Sequence, residues 1–173
     1  MMAPMTEKSL LVVLGGLPGS GKTTLARALA RELRAVHVRI DTLEQAIVQS
    51  SLGVPDAQEA GYAAGARVAL DNLRLGLPVV ADCVNPVRAS QEGWRAVADE
   101  AGARLVEVLV VCSDAAEHRR RVEERVADIP GHRQPTWADV TALVLDPWPE
   151  ATVVDTAFRP VGRVVAEVRG LTG

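Results

Sequence analysis

The sequence predicts an α/β fold in which a parallel β-sheet carries helices on both faces. Short, almost wholly apolar runs recur along the chain, and each is followed by a segment with helical periodicity. A glycine-rich stretch joins the first apolar run to the first helix, where a strand–turn–helix unit presents backbone amides to a ligand. No repeat, low-complexity stretch or linker divides the 173 residues, so a single domain over 1–173 is expected.

Leu10 to Leu14 is apolar at every position, as a strand buried on both faces must be. A helix is expected from about Lys22 to Leu33, with Leu25, Ala28, Leu29 and Leu33 on one stripe. Val36 to Ile40 alternates as a second strand, and a helix follows from about Leu43 to Ser50. Asp56 and Glu59 have capping-box spacing, so a long helix is expected to open there and reach about Leu75. Pro78 to Ala81 makes a third strand that ends at Asp82, and Ser90 begins a helix through about Glu100. Leu105 to Val111 is the strongest strand pattern. Asp114 and Glu117 form a second capping box, before an arginine-rich helix to about Ala127. Thr136 and Asp139 open a further helical turn, Thr152 to Asp155 is a last strand, and Val161 to Arg169 a closing helix.

Composition narrows the function classes. The chain is 48% hydrophobic and 24% charged, with a formal net charge of −3. A surface built to hold a nucleic-acid backbone carries a broad positive field, so a small-molecule partner is expected and nucleic acid is not. Cys83 and Cys112 have no zinc-site spacing and form no disulfide framework; both read as buried small hydrophobes. Met1 to Lys8 is too short and polar for a signal peptide, and Leu10 to Leu14 too short for a bilayer span, which predicts a cytoplasmic protein without a membrane partner. Lysine occurs only at Lys8 and Lys22; the other 17 of the 19 basic residues are arginine. A lysine placed in the glycine loop suits a task needing a compact point charge on a flexible stem.

The loop itself is Gly16-Leu17-Pro18-Gly19-Ser20-Gly21-Lys22-Thr23, followed by Thr24. Its glycines let successive N–H groups turn inward around phosphate oxygens, and the helix beginning near Lys22 adds its positive end. In this pattern Lys22 reaches the β- and γ-phosphates of a nucleoside triphosphate and the Thr23 hydroxyl holds Mg²⁺.

Two carboxylates end strands on the rim where ligands bind in an open parallel sheet. Asp41 follows the second strand and is assigned the base that accepts the proton of an attacking hydroxyl; Asp82 follows the third and is assigned to the metal or its waters. The competing reading at both positions is a helix cap alone. Asn85 either meets substrate or shapes the turn before Pro86. Beyond the fourth strand stand Arg119, Arg120, Arg121, Arg125 and Arg133. Arg121 and Arg125, four apart on one helical face, are the candidates to close over the transferring phosphate, with Arg133 third. Arg119 and Arg120 are expected to be solvated and paired with Glu123 and Glu124.

With Gly-Leu-Pro-Gly-Ser-Gly-Lys-Thr-Thr at 16–24, Arg-Ile-Asp at 39–41, Val-Val-Ala-Asp at 79–82 and the arginine helix at 119–125, the chain resembles the P-loop kinases of small molecules. These include gluconate kinase, adenylylsulfate kinase, chloramphenicol phosphotransferase and the kinase half of polynucleotide kinase; bacterial kinases known only as AAA-type ATPases are a looser likeness. The resemblance implies a three-layer αβα sandwich of the P-loop NTPase type, its five parallel strands in the order 2-3-1-4-5. It implies Asp41 as base in the acceptor site, Arg121 and Arg125 in a short lid at about 115–136, and the Phe158-Arg159-Pro160 turn, Arg159 included, beside the adenine. Arg39 and Arg88 face the acceptor or the surface.

The acceptor region, about 43–75, is rich in alanine and glycine. Gly61 and Gly65 either admit a ligand or pack helices tightly; Tyr62 either stacks on an acceptor or packs in the core; Trp94, Trp137 and Trp148 pack, unless the last two cover the site. Transfer of the γ-phosphate of ATP to a small-molecule hydroxyl is the expected function. A polynucleotide or RNA-end kinase, which a basic patch at Arg39, Arg67 and Arg88 would favour, and a regulatory ATPase without an acceptor are the alternatives. A GTPase switch is disfavoured: Asp128 to Gly131 matches D-x-x-G but follows a charged helix, and no N-K-x-D sequence exists.

Overall fold

The computed structural model describes residues 8–173; the expectation for Met1 to Lys8 falls, except for Lys8, outside the described residues. The chain runs β1 (Leu10–Gly15), α1 (Lys22–Leu33), β2 (Val36–Arg39), α2 (Ile40–Val48), α3 (Ala60–Arg74), β3 (Val79–Asp82), α4 (Arg88–Ala101), β4 (Arg104–Val111), α5 (Ala115–Glu124), α6 (Trp137–Ala142), β5 (Thr152–Asp155) and α7 (Val161–Leu171). The five strands are all parallel and lie in the order β2-β3-β1-β4-β5, which is the order the resemblance implied.

Strand β1 is central because it is apolar on both faces. Leu11, Val12, Val13 and Leu14 are fully buried. Leu11 and Val13 pack toward α3 and α4 with Leu70, Leu73 and Trp94, whereas Val12 and Leu14 pack toward α1 and α7 with Leu25, Leu29, Val164 and Val168. One uninterrupted apolar run thus feeds two cores, each buried leucine or valine worth about 1.5–3 kcal/mol relative to exposure. Register then aligns the strand ends: Leu14 pairs with Asp82, and Arg39 pairs with Asp82 on its other side. Parallel pairing therefore delivers the glycine loop, Asp82 and the start of α2 to one rim. Among the described residues no helix is long and apolar enough to cross a membrane.

Several local expectations change. Helix α2 starts at Ile40, so Asp41 lies in its first turn rather than in a loop before Leu43. The Asp56–Glu59 capping box does not form; Asp56 accepts instead from the Gln58 amide at 2.8 Å, an Asx turn that delays α3 to Ala60. Asp114 does cap α5, but the Glu117 carboxylate is held by Arg120 and Arg121, so only half of that box exists. The Thr136–Asp139 box closes in both directions. Helix α4 begins at Arg88, two residues before Ser90, whose hydroxyl donates back to Val87. Helix α5 stops at Glu124, short of Ala127, and Arg125 is extended at φ −64°, ψ 127°.

Candidate functional site

The glycine loop wraps the start of α1. Gly16 and Gly19 have φ of 143° and 81°, conformations that side chains rarely tolerate. A Cβ on Gly16 would also meet the Val110 carbonyl, and one on Gly19 would meet Val122 of α5. Helix α1 has no side-chain cap, which leaves its first amides to a ligand. Lys22 is almost wholly buried, with Nζ 3.5 Å from the Leu17 carbonyl.

Asp82 is 2% exposed and sits behind this loop. His37 Nε2 lies 3.3 Å from its Oδ2 and Arg39 Nε 4.0 Å away. Burial alone would raise the Asp82 carboxyl, but bonds from His37 and Thr23 and the charge of Lys22 outweigh it and hold the group below the ordinary carboxylate range. An ionised carboxylate beside the Thr23 hydroxyl is the hard oxygen pair that Mg²⁺ prefers, and Mg²⁺ needs few protein ligands when phosphates supply the rest.

The arginines of this region differ in their partners. Arg119 is exposed and pairs with Glu123, whereas Arg120 pairs with Glu117 and Glu124 and, with Glu124, also borders the phosphate cleft. Arg121 turns inward: Nη1 donates to the Thr156 hydroxyl at 2.8 Å and Nη2 to the Thr156 carbonyl at 2.9 Å. The Thr156 hydroxyl in turn donates to the Ser20 carbonyl at 2.6 Å, so Arg121 is fastened to the loop. Arg125 lies beyond the helix end, so helical spacing does not bring it to Arg121. Both nonetheless line one cleft of about 340 Å³ with Gly19, Gly21, Lys22, Thr23 and Thr24. Desolvation lowers the Arg125 pKa, and Asp41, Arg39 and Asp128 are its charged surroundings. Arg133 is exposed and pairs with Asp139, away from this cleft. Arg159 lines a second, adjoining cleft of about 180 Å³ with Gly21, Thr24, Arg121 and Thr156.

Asp41 is partly exposed, 3.9 Å from Arg39. The Arg39 guanidinium donates twice to Asp128, at 2.8 and 3.2 Å, and Arg27 joins the same carboxylate. Arg39 is therefore turned to the segment after α5. Arg88 pairs with Glu92 and Glu150, and Arg67 with Glu100. Each arginine of the suggested basic patch is thus matched by a carboxylate.

Gly61 and Gly65 are packing positions: a Cβ at either would press on Glu44 or Ile40 of α2. Tyr62 accepts a bond from the Asn85 amide at 2.8 Å. Trp148 lies under Gly15 and donates to Glu107, and Trp137 meets His118 edge to face, so neither covers the site.

Four contributors had escaped sequence reasoning. His118 Nε2 lies 2.8 Å from the Pro18 carbonyl and braces the loop from outside. Thr156 joins loop and lid arginine. Asp128, visible only as a failed D-x-x-G, straps α1 to β2. Glu44, one helical turn after Asp41, has its carboxyl pushed up to about 7 by burial, then by Asp41 and Asp56. Only the i, i+3 spacing of Asp41 and Glu44 hinted at the last.

The model of the AAA domain family matches residues 11–143. A protein of Aeropyrum pernix described as a probable adenylyl-sulfate kinase is 29% identical over 116 residues. The match takes in 62% of this chain and 61% of that protein, so the chain spans under two thirds of its relative's length. A candidate kinase of Chloroflexus aurantiacus has the same fold, with a TM-score of 0.75, 23% identity, and coverage of 96% of this chain and 97% of its own. The APS kinase of Mycobacterium tuberculosis, solved with AMPPNP and APS, superposes with a TM-score of 0.73 at 19% identity, over 96% and 98% of the two chains.

Proposed function

We infer, from the premise that this chain belongs to the AAA domain family, that it is an ATP-dependent phosphotransferase acting on a hydroxyl of a small molecule. The observation that carries this reading is the rim itself. Asp82 ends β3 beside Lys22 and Thr23, Asp41 follows the adjacent strand β2 and faces Arg125, and Arg121 and Arg125 line the phosphate cleft with Lys22 and Thr23. A site that only binds a nucleotide needs no carboxylate placed toward a second ligand.

In this reading Lys22 and the loop amides hold the triphosphate, and Arg159 borders the nucleoside. Thr23 and Asp82 would hold Mg²⁺, which when bound neutralises charge on the phosphate oxygens. Asp41 accepts the proton of the acceptor hydroxyl as its oxygen bonds to the γ-phosphorus and the bond to the bridging oxygen breaks, leaving ADP. Arg121 and Arg125 spread the developing charge. Residues 8–173 act as one domain, with 115–136 as the lid.

Acceptor-dependent ADP release by wild type and Asp41→Asn tests the assignment. A loss on the order of 10²–10⁴-fold, with ATP affinity retained, is expected for a missing base. Undiminished turnover in the variant overturns it.

A further inference from the structure

Helices α3 and α4 part at their N-terminal halves and leave a cavity of about 390 Å³. Tyr62, Pro86, Val87 and Trp94 wall it, and Ala63 and Ala66 form its floor. Its size suits a small molecule. The void follows from the sequence: beyond Tyr62 the α3 face offers only the methyl groups of Ala63 and Ala66, and α4 presents Gly93, whose missing Cβ would have nothing within 4 Å. Elsewhere these helices close on Leu70, Leu73 and Val97, so the gap is local to the rim.

The cavity adjoins the segment packed on the helix of the candidate base; Asp41 and Glu44 themselves do not line it. Asp41 and Glu44 lie one turn apart on α2, Glu44 abuts Gly61, and Tyr62 is the next residue. Tyr62 also holds the backbone of Asn85. The Asn85 side chain is buried at the start of the phosphate loop, against Gly15, and neither amide atom has a protein partner.

Its charge is one-sided. Glu59 is the only carboxylate among the lining residues, and none of them is lysine, arginine or histidine. The cations of the site lie across Asp82, in the phosphate cleft. A carboxylate or sulfate pressed into this cavity would lose its hydration without gaining a counter-ion, a cost of several kcal/mol.

Resting on the phosphotransfer reading, we propose that the acceptor seated between α3 and α4 is a hydroxylated small molecule with a flat apolar body and no negative charge. This sets the chain apart from kinases whose acceptors are sugar acids or sulfate esters.

The test uses the uncharged fluorophore N-phenyl-1-naphthylamine with the whole protein. Gly93→Leu fills the void from an exposed helical position and replaces glycine by a better helix former, so folding is kept, as a melting curve verifies. Gly93→Ala makes the same helical gain but leaves most of the void. Saturable probe binding is expected in wild type and in Gly93→Ala, weakened at least about tenfold in Gly93→Leu. Uncharged 2-phenylethanol should displace the probe, whereas gluconate and adenylyl sulfate should not. Absence of saturable binding, indifference to Gly93→Leu, or displacement by gluconate overturns the proposal. A fluorescent ATP analogue is titrated in parallel. Failure to bind it overturns the phosphotransfer reading, whereas intact ATP binding with phosphorylation of an anionic acceptor overturns only the present inference.

Discussion

Two halves of one rim meet at Asp82, and they are built differently. On the nucleotide side, positions are fixed by backbone geometry and by cations whose partners are themselves fixed. Lys22 is buried, Arg121 is tied through Thr156 to Ser20, and His118 braces Pro18. On the proposed acceptor side, Tyr62, Pro86, Val87 and Trp94 wall a space left by the small residues Ala63, Ala66 and Gly93, and the neighbouring Asn85 amide lacks a partner. The first half is rigid around a ligand of constant shape, the triphosphate. The second is shaped by what few atoms it contains, and a handful of substitutions would reshape it without disturbing the first.

The largest expected effect falls on the rigid half. Lys22→Met keeps the length and apolar stem of the side chain but removes the point charge from the phosphate cleft. ATP turnover should drop on the order of 10²–10³-fold, as when a single stabilising group is removed from a transition-state site. If the two halves are independent, binding of the uncharged fluorophore between α3 and α4 should not change. A parallel loss in both titrations would break the comparison.

A smaller effect separates the halves in the other direction. Gly65 is where α3 crosses α2, and a side chain there would push into Ile40. Gly65→Val should cost about 1–3 kcal/mol through overpacking and lower Tm by several degrees. Because Ile40 immediately precedes Asp41, acceptor-dependent turnover of the folded fraction should fall while affinity for the ATP analogue holds. Calorimetry beside both titrations would measure this; an unshifted Tm would show that the helices have room to part.

The same contrast explains what could be read without coordinates. Residues 16–24 specify a structure by themselves, since loop, lysine and helix start are contiguous and their geometry is local. Strand order follows from five apolar runs together with the resemblance they support. The arginine assignment to Arg121 pointed at the residue now found on Thr156, yet the reason was faulty: α5 ends before Arg125, because the chain leaves the helix to bring Asp128 to Arg27 and Arg39. Thr156 lies 136 residues from the Ser20 carbonyl it bonds, and no periodicity connects them. The Asp56–Glu59 pattern failed for the opposite reason, because an aspartate with capping spacing closed a turn with its nearer neighbour, Gln58. The cavity at Gly93 was invisible since an absence of side chains on two helices becomes a space only when the helices face each other.

The smallest predicted effect distinguishes the halves by pH. The Glu44 carboxyl titrates near 7 in the folded chain, against an ordinary 4.5, and burial is the main cause. Between those two values the unfolded chain has released a proton that the folded chain still holds, so stability falls as pH rises through that window. After allowance for the partial exposure of Glu44 the loss is about 1–2 kcal/mol, complete above neutrality. Glu44→Gln should match wild type near pH 4 and exceed its stability by about that amount at pH 8, as urea midpoints measured across the range would reveal. Parallel curves for the two proteins would mean that the glutamate is as well solvated as a surface group. Asp82 behaves oppositely: its pKa is depressed, so its contribution is present at neutral pH and is lost only as the solution becomes acid. Near neutrality the carboxylate at the phosphates therefore stays charged while the one beside the acceptor cavity can still hold its proton.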